Sequence, residues 1–182
     1  MEKLDIVDEK NNLTGKTETR KLVHEKGLWH RHVGAWIMNK NGELLFQKRV
    51  ATKPINANKW ARTGGHVDAG EETLHAVQRE TKEEIGVKIP AENWELISIE
   101  KYIKEKDNNH HFTYNYFTVV DYELEDYTIQ KEELSDLKYM SLEEMKILKE
   151  KQDANYTFTN WDNFYEMLEI LNEKRNKIIK NK

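Results

Sequence analysis

Glu80, Glu83 and Glu84 stand three and four residues apart in a segment that opens on Gly64-Gly65. On a helix this spacing puts all three carboxylates on one face, within about 100° of arc. Like charges so placed destabilise an isolated helix by roughly 0.2–0.5 kcal/mol per pair. Their grouping therefore calls for a cation. Hard divalent ions such as Mg²⁺ take carboxylate oxygens, keep several waters and bridge to substrate phosphates. The pattern makes the segment a candidate metal–phosphate site.

The surrounding residues position those acids. Leu74, Val77, Thr81 and Ile85 recur at helical spacing on the opposite face and predict packing against a sheet. Asp68, Glu71 and Glu72 fall near the helix start, where the dipole favours negative charge. Gly86 is placed to end the helix. Arg79 is expected to pair with Glu71, two turns back, and to hold Glu80.

The run from Gly65 to Val87 resembles the Nudix box, Gly-x5-Glu-x7-Arg-Glu-U-x-Glu-Glu-x-Gly-U, where U is a bulky apolar residue. Gly65, Glu71, Arg79, Glu80, Glu83, Glu84, Gly86 and Val87 match, and Thr81 departs at the first U position. The resemblance implies an α/β fold, the Nudix α/β/α sandwich with a mixed sheet and a loop-helix box. It also implies Mg²⁺, with Mn²⁺ as a substitute, held by the Gly65 carbonyl, Glu80, Glu83 and Glu84. Residues His30 to Ile37, Gln47-Lys48-Arg49, Lys53-Pro54, Trp60, Gly65-His66 and Phe158 to Trp161 further resemble the isopentenyl-diphosphate isomerase branch of that superfamily. In that isomerase the residue before the Gly-His pair is a cysteine that moves a proton; here it is Gly64. The strand that supplies its acids corresponds to Phe112–Phe117, which has none.

The whole chain sets outer limits. Its 182 residues fit a single domain, with a tail expected to fray over about 173–182. A net charge of −4 with 34% charged residues gives no global basic surface for nucleic acid. The absence of cysteine excludes disulfides, thiolate metal sites and cysteine nucleophiles. No run approaches the ~18 apolar residues of a membrane span, and the opening residues are polar. A cytoplasmic protein without a membrane partner is expected, and a homodimer stays open.

Strands are expected at Leu4–Val7, Val33–Met38, Glu43–Gln47, Trp94–Ile103, His111–Tyr122 and Leu137–Met140. Asn39–Gly42 signals a hairpin, Asn11-Asn12 with Gly15 a turn, and Lys106–Asn109 a further turn. Helices are expected at Thr19–His24, over the acid-rich box, at Ser141–Lys149 behind a capping box, and at Asn160–Ile179.

Other side chains offer supporting roles. Family placement brings Arg49 and Lys53 near the diphosphate, Arg as a bidentate donor and Lys as a point charge; solvated surface charge explains them equally well. His66 is expected to shape the phosphate loop. His30, His32, His66, His110 and His111 invite a zinc site, but without the carboxylates they read as polar residues beside a cleft. Glu132 and Glu133 are loop candidates for accepting a proton, though solvated acids is the simpler account. Trp60 reads as packing.

These readings converge on a Mg²⁺-dependent hydrolase that cleaves a diphosphate linkage in a small molecule, with Glu80, Glu83 and Glu84 catalytic. An isoprenoid isomerase and an idle ligand-sensing module are the alternatives.

Overall fold

An asparagine and a glycine set the hairpin between the third and fourth strands. Asn39 and Gly42 close it, Gly42 at φ 81°, with Asn39 N–H donating to the Glu43 carbonyl. The computed structural model describes residues 2–104 and 108–180, so the turn expected over Lys106–Asn109 lies partly outside the described residues. The strands are β1 (Lys3–Val7), β2 (Leu13–Thr19), β3 (His30–Asn39), β4 (Leu44–Arg49), β5 (Trp60–Ala61), β6 (Gly64–His66), β7 (Glu95–Lys104), β8 (Asn109–Val120) and β9 (Leu134–Met140). The helices are α1 (Arg20–Lys26), α2 (Thr73–Ile85), α3 (Leu142–Glu150) and α4 (Phe164–Lys180). The chain divides into two compact units, one of residues 1–35, 64–81 and 88–117, the other of 36–63, 82–87 and 118–182. The continuous elements β3 and α2 contribute to both.

In the first unit β1 and β2 form a two-stranded antiparallel sheet, Leu4 opposite Glu18. The sequence suggests only a turn around Asn11 to Gly15. The turn instead closes at Asp8–Asn12, and Gly15 lies inside β2 at φ 75°. Leu4, Ile6 and Val23 are buried together, with Leu28 packed on them. β6 runs antiparallel to β3, pairing Val33 with Gly65 and His32 with His66. β7 and β8 pair antiparallel, with a register shift between Leu96 and Ser98.

In the second unit β4 lies between β5 and β9, so that Gln47 faces Ala61 on one side and Leu137 on the other. Trp36, Phe46, Phe158 and Phe164 are each at most 1% exposed and form an aromatic core with Trp161. The Arg62 guanidinium lies 4.4 Å from the Trp161 ring centroid and 5.1 Å from that of Trp36, a cation–π arrangement. Ser141 caps α3 by accepting from Glu144 N–H at 3.0 Å. α4 stays helical to Lys180, through most of the stretch where fraying is expected. Among the described residues no helix is long and apolar enough to cross a membrane.

Candidate active site

The glycine loop is built around close backbone approaches in the first unit. A Cβ at Gly65 would stand 2.2 Å from Glu80 Oε1, and one at Gly64 would stand 2.3 Å from the Val33 carbonyl oxygen. Neither position has room for a side chain. The Glu80 carboxylate therefore packs directly on the backbone of Gly65.

Arg79 holds this arrangement. Its guanidinium donates to Glu71 Oε1 and Oε2 at 3.0 and 2.9 Å, to Glu80 Oε1 at 2.8 Å and to the His66 carbonyl at 2.9 Å. The fork geometry of arginine suits such multiple recognition, which a lysine cannot reproduce. Hydrogen bonding to Glu71 raises the Arg79 pKa above its ordinary value, against the cost of burial. Glu71 also accepts from Asp68 N–H at 3.1 Å and so joins the loop to the helix.

Further along α2, Val77, Thr81 and Ile85 are completely buried. Thr81 fills a position where the box has a bulky apolar residue; its hydroxyl is satisfied within the helix, donating to the Val77 carbonyl at 2.7 Å. The residue can therefore be buried without an orphaned donor. Glu83 is exposed, whereas Glu84 is only 4% exposed. Gly86 ends the helix at φ 76°, and a Cβ there would stand 2.7 Å from the Thr128 carbonyl oxygen.

The histidines gather more tightly than their sequence positions suggest. His24, from α1, joins His30 on β3 and His66 on β6, and their ring nitrogens lie within 4.8 Å of one another. The His24 and His66 Nε2 atoms are 3.0 Å apart, while His30 Nδ1 faces the Leu28 carbonyl at 3.0 Å. The buried His30 Nε2 has no hydrogen-bond partner among the described residues. Burial lowers all three imidazole pKa values, that of His30 to about 4. His32 and His111 lie beside the cluster with their rings tilted by 38° and their centroids 5.2 Å apart. The side chain of His66 thus belongs to a histidine cluster, and its carbonyl to the loop clamp. Sequence reasoning missed His24: its distance along the chain from His66 gives no local period.

A model of the NUDIX domain matches residues 28–161. The chain belongs to the Nudix hydrolase family. It is 36% identical over 150 residues to an uncharacterised Nudix hydrolase of Clostridium acetobutylicum, covering 78% of this chain and 71% of that protein. It is 33% identical over 165 residues to Nudix hydrolase 3 of Arabidopsis thaliana, covering 85% of this chain but 21% of that longer protein. An isopentenyl-diphosphate Delta-isomerase of Pectobacterium atrosepticum is 30% identical over 141 residues, 77% of this chain and 76% of that one. The crystal structure of DR0079 from Deinococcus radiodurans superposes with a TM-score of 0.71 at 20% identity, covering 92% of this chain and 98% of that one. The fold is the Nudix α/β fold, with a mixed sheet and helices.

In this Nudix chain Arg49 and Lys53 both lie in the second unit and are partly buried. Arg49 Nε donates to the Ile55 carbonyl at 3.2 Å. Lys53 Nζ pairs with Glu133 at 2.7 Å, both side chains partly buried. Glu132 is exposed. Trp60 is half-buried with Lys138 Nζ 4.9 Å from its ring centroid.

Proposed function

We propose that this Nudix chain is a divalent-metal-dependent hydrolase. It cleaves a diphosphate linkage in a nucleoside diphosphate derivative or related small molecule by attack of water at phosphorus. The observation that carries the reading is the Glu80 carboxylate packed against the Gly65 backbone and clamped by Arg79. Glu83 and Glu84 follow on the same continuous helix. This donor set consists of oxygens only, which suits Mg²⁺ or Mn²⁺. A cation held by Glu80, Glu83, Glu84 and the Gly65 carbonyl would neutralise phosphoryl charge and acidify a water.

The protein's own groups do the rest. Arg79 holds Glu80 in place by its hydrogen bond, and one of the three glutamates accepts the proton of the attacking water. Arg49 and Lys53 bind diphosphate oxygens, Lys53 exchanging Glu133 for a phosphate as substrate arrives.

The test is a phosphate-release screen over nucleotide and isoprenoid diphosphates, with and without Mg²⁺. It is run on the wild type, Glu83→Gln and Glu84→Gln. Metal-dependent release that falls at least about 100-fold in both variants supports the reading. A folded wild type inert on every compound, or variants as active as it, refutes it.

A second reading, an isomerase of isopentenyl diphosphate, has the His24–His30–His66 cluster in its favour, since three imidazole nitrogens suit a borderline metal. Against it stand Gly64, with no room for a proton-transferring side chain, and the acid-free Phe112–Phe117 stretch of β8. Deuterium incorporation into dimethylallyl diphosphate in deuterated water at catalytic rates would favour this reading over hydrolysis.

A further inference from the structure

Glu84 does not stand alone in the second unit. Gln47 Nε2 donates to Glu84 Oε2 at 2.8 Å, and Thr63 Oγ1 donates to Gln47 Oε1 at 2.8 Å. All three are buried, Gln47 at 1%, Thr63 at 3% and Glu84 at 4% exposure. We propose that Gln47 is a positioning residue that fixes the plane of the Glu84 carboxylate, and that Thr63 fixes the orientation of the Gln47 amide.

The polarity of the chain follows from what each group can do. A carboxylate oxygen that carries no proton only accepts, so Glu84 Oε2 takes the NH₂ end of the amide. The amide oxygen then faces Thr63, whose hydroxyl rotor turns to donate. With the amide reversed, two acceptors would face each other in a buried setting, where unpaired polar groups are costly. The Thr63 hydroxyl, the Gln47 amide and the carboxylate thus form one directed relay ending on Glu84.

The relay is tied to the backbone at both ends. Gln47 sits on β4 between Ala61 of β5 and Leu137 of β9. At the other end the Glu84 carbonyl accepts from Gln130 N–H at 2.9 Å, so backbone and side chain of Glu84 are both anchored. A hydrogen bond on one carboxylate oxygen sets the heading of the other. Supporting groups of this kind are worth about 10–100-fold in metal affinity or activity.

This inference rests on the reading of Glu84 as a metal ligand or proton acceptor, and the experiment separates the two. Gln47→Met keeps length and bulk but cannot donate to Glu84. Thr63→Val keeps shape without the hydroxyl, and Thr63→Ser restores it. Mn²⁺ affinity by calorimetry and the pH profile of Mg²⁺-dependent phosphate release are measured in each variant, with folding checked by thermal melting.

Gln47→Met should weaken Mn²⁺ binding about 10–100-fold and lower kcat with little change in KM. Thr63→Val should do so less, and Thr63→Ser should recover wild-type values. Gln47→Glu should move the acidic limb of the pH profile to higher pH, because two adjacent carboxyls cannot both ionise freely. Wild-type Mn²⁺ affinity and pH profile in Gln47→Met and Thr63→Val, while Glu84→Gln loses both, would overturn the positioning role alone. A Glu84→Gln variant with wild-type affinity and rate would overturn the role of Glu84, and this inference with it. If Gln47→Met does not fold, Thr63→Val against Thr63→Ser decides the question, and equal behaviour of the two counts against it.

Discussion

Oxygen Oε1 of Glu80 occupies the space that a methyl group on Gly65 would need, 2.2 Å from the ideal Cβ. Real Cβ atoms do not tolerate such a contact, so the loop and the helix are fitted to each other at that point. Any side chain at position 65 must displace the carboxylate, which Arg79 holds at 2.8 Å, or the β6 backbone, which pairs with Val33.

Gly65→Ala should therefore fold but lose metal binding. Mn²⁺ affinity and the rate of phosphate release are expected to fall by roughly 10–100-fold, with the far-ultraviolet circular dichroism unchanged. Calorimetry checks the first and a phosphate assay the second. Wild-type values in both would mean that Glu80 is free to move aside at no cost.

Arg79→Lys tests the clamp. A lysine offers a point charge in place of a fork, so the bidentate bond to Glu71 and the bond to the His66 carbonyl cannot both survive. A loss of about 1–3 kcal/mol is expected from chemical denaturation. A double-mutant cycle with Glu71→Gln should show coupling of about 1 kcal/mol or more. Strict additivity would reduce the pair to an ordinary surface contact.

Acid should destabilise the protein through its histidines. The His30 pKa is about 4 against an ordinary 6.5, lowered chiefly by burial. The unfolded chain thus binds the extra proton between those values. This contribution is fully present above pH 6.5 and is lost as pH falls towards 4, by on the order of 3 kcal/mol. Urea titrations with chelator at several pH values should show that slope, and His30→Asn should flatten it. An unchanged slope in His30→Asn would assign the pH dependence to other groups.

Gly86→Ala probes the helix stop. It introduces a side chain at φ 76° and a contact of 2.7 Å with the Thr128 carbonyl. The expected cost is at least about 1 kcal/mol, a fall in Tm of roughly 2–4 °C per kcal/mol at this size. A melt indistinguishable from wild type would show that the Thr128 segment yields.

The sequence makes the box legible because its signals are local. Helical spacing of Val77, Thr81 and Ile85, a glycine stop and a glycine loop all fall within one short stretch, and the structure places α2 there. The hairpin at Asn39–Gly42 and the capped α3 were readable for the same reason. β2 was not: Leu13–Thr19 is largely exposed and has no apolar alternation to mark it as a strand. The meeting of His24, His30 and His66, the Lys53–Glu133 pair and the Gln47–Glu84 bond arise from chain crossings that no local period encodes. Thr81 is a mild departure from the box in sequence, and its hydroxyl is absorbed by the helix itself.

The crowding at Gly64 constrains the history open to this chain. The obstacle is main chain, the Val33 carbonyl at 2.3 Å, and not a side chain that could swing away. A mutation that installs a thiol at position 64 must first shift β3, which carries His30 and His32. A side chain gained at position 64 therefore has to be accompanied by a change in the strand that carries Val33 and Gly34. Single-step directed evolution from this sequence should stall at that position, whereas libraries that also vary Val33 and Gly34 should not.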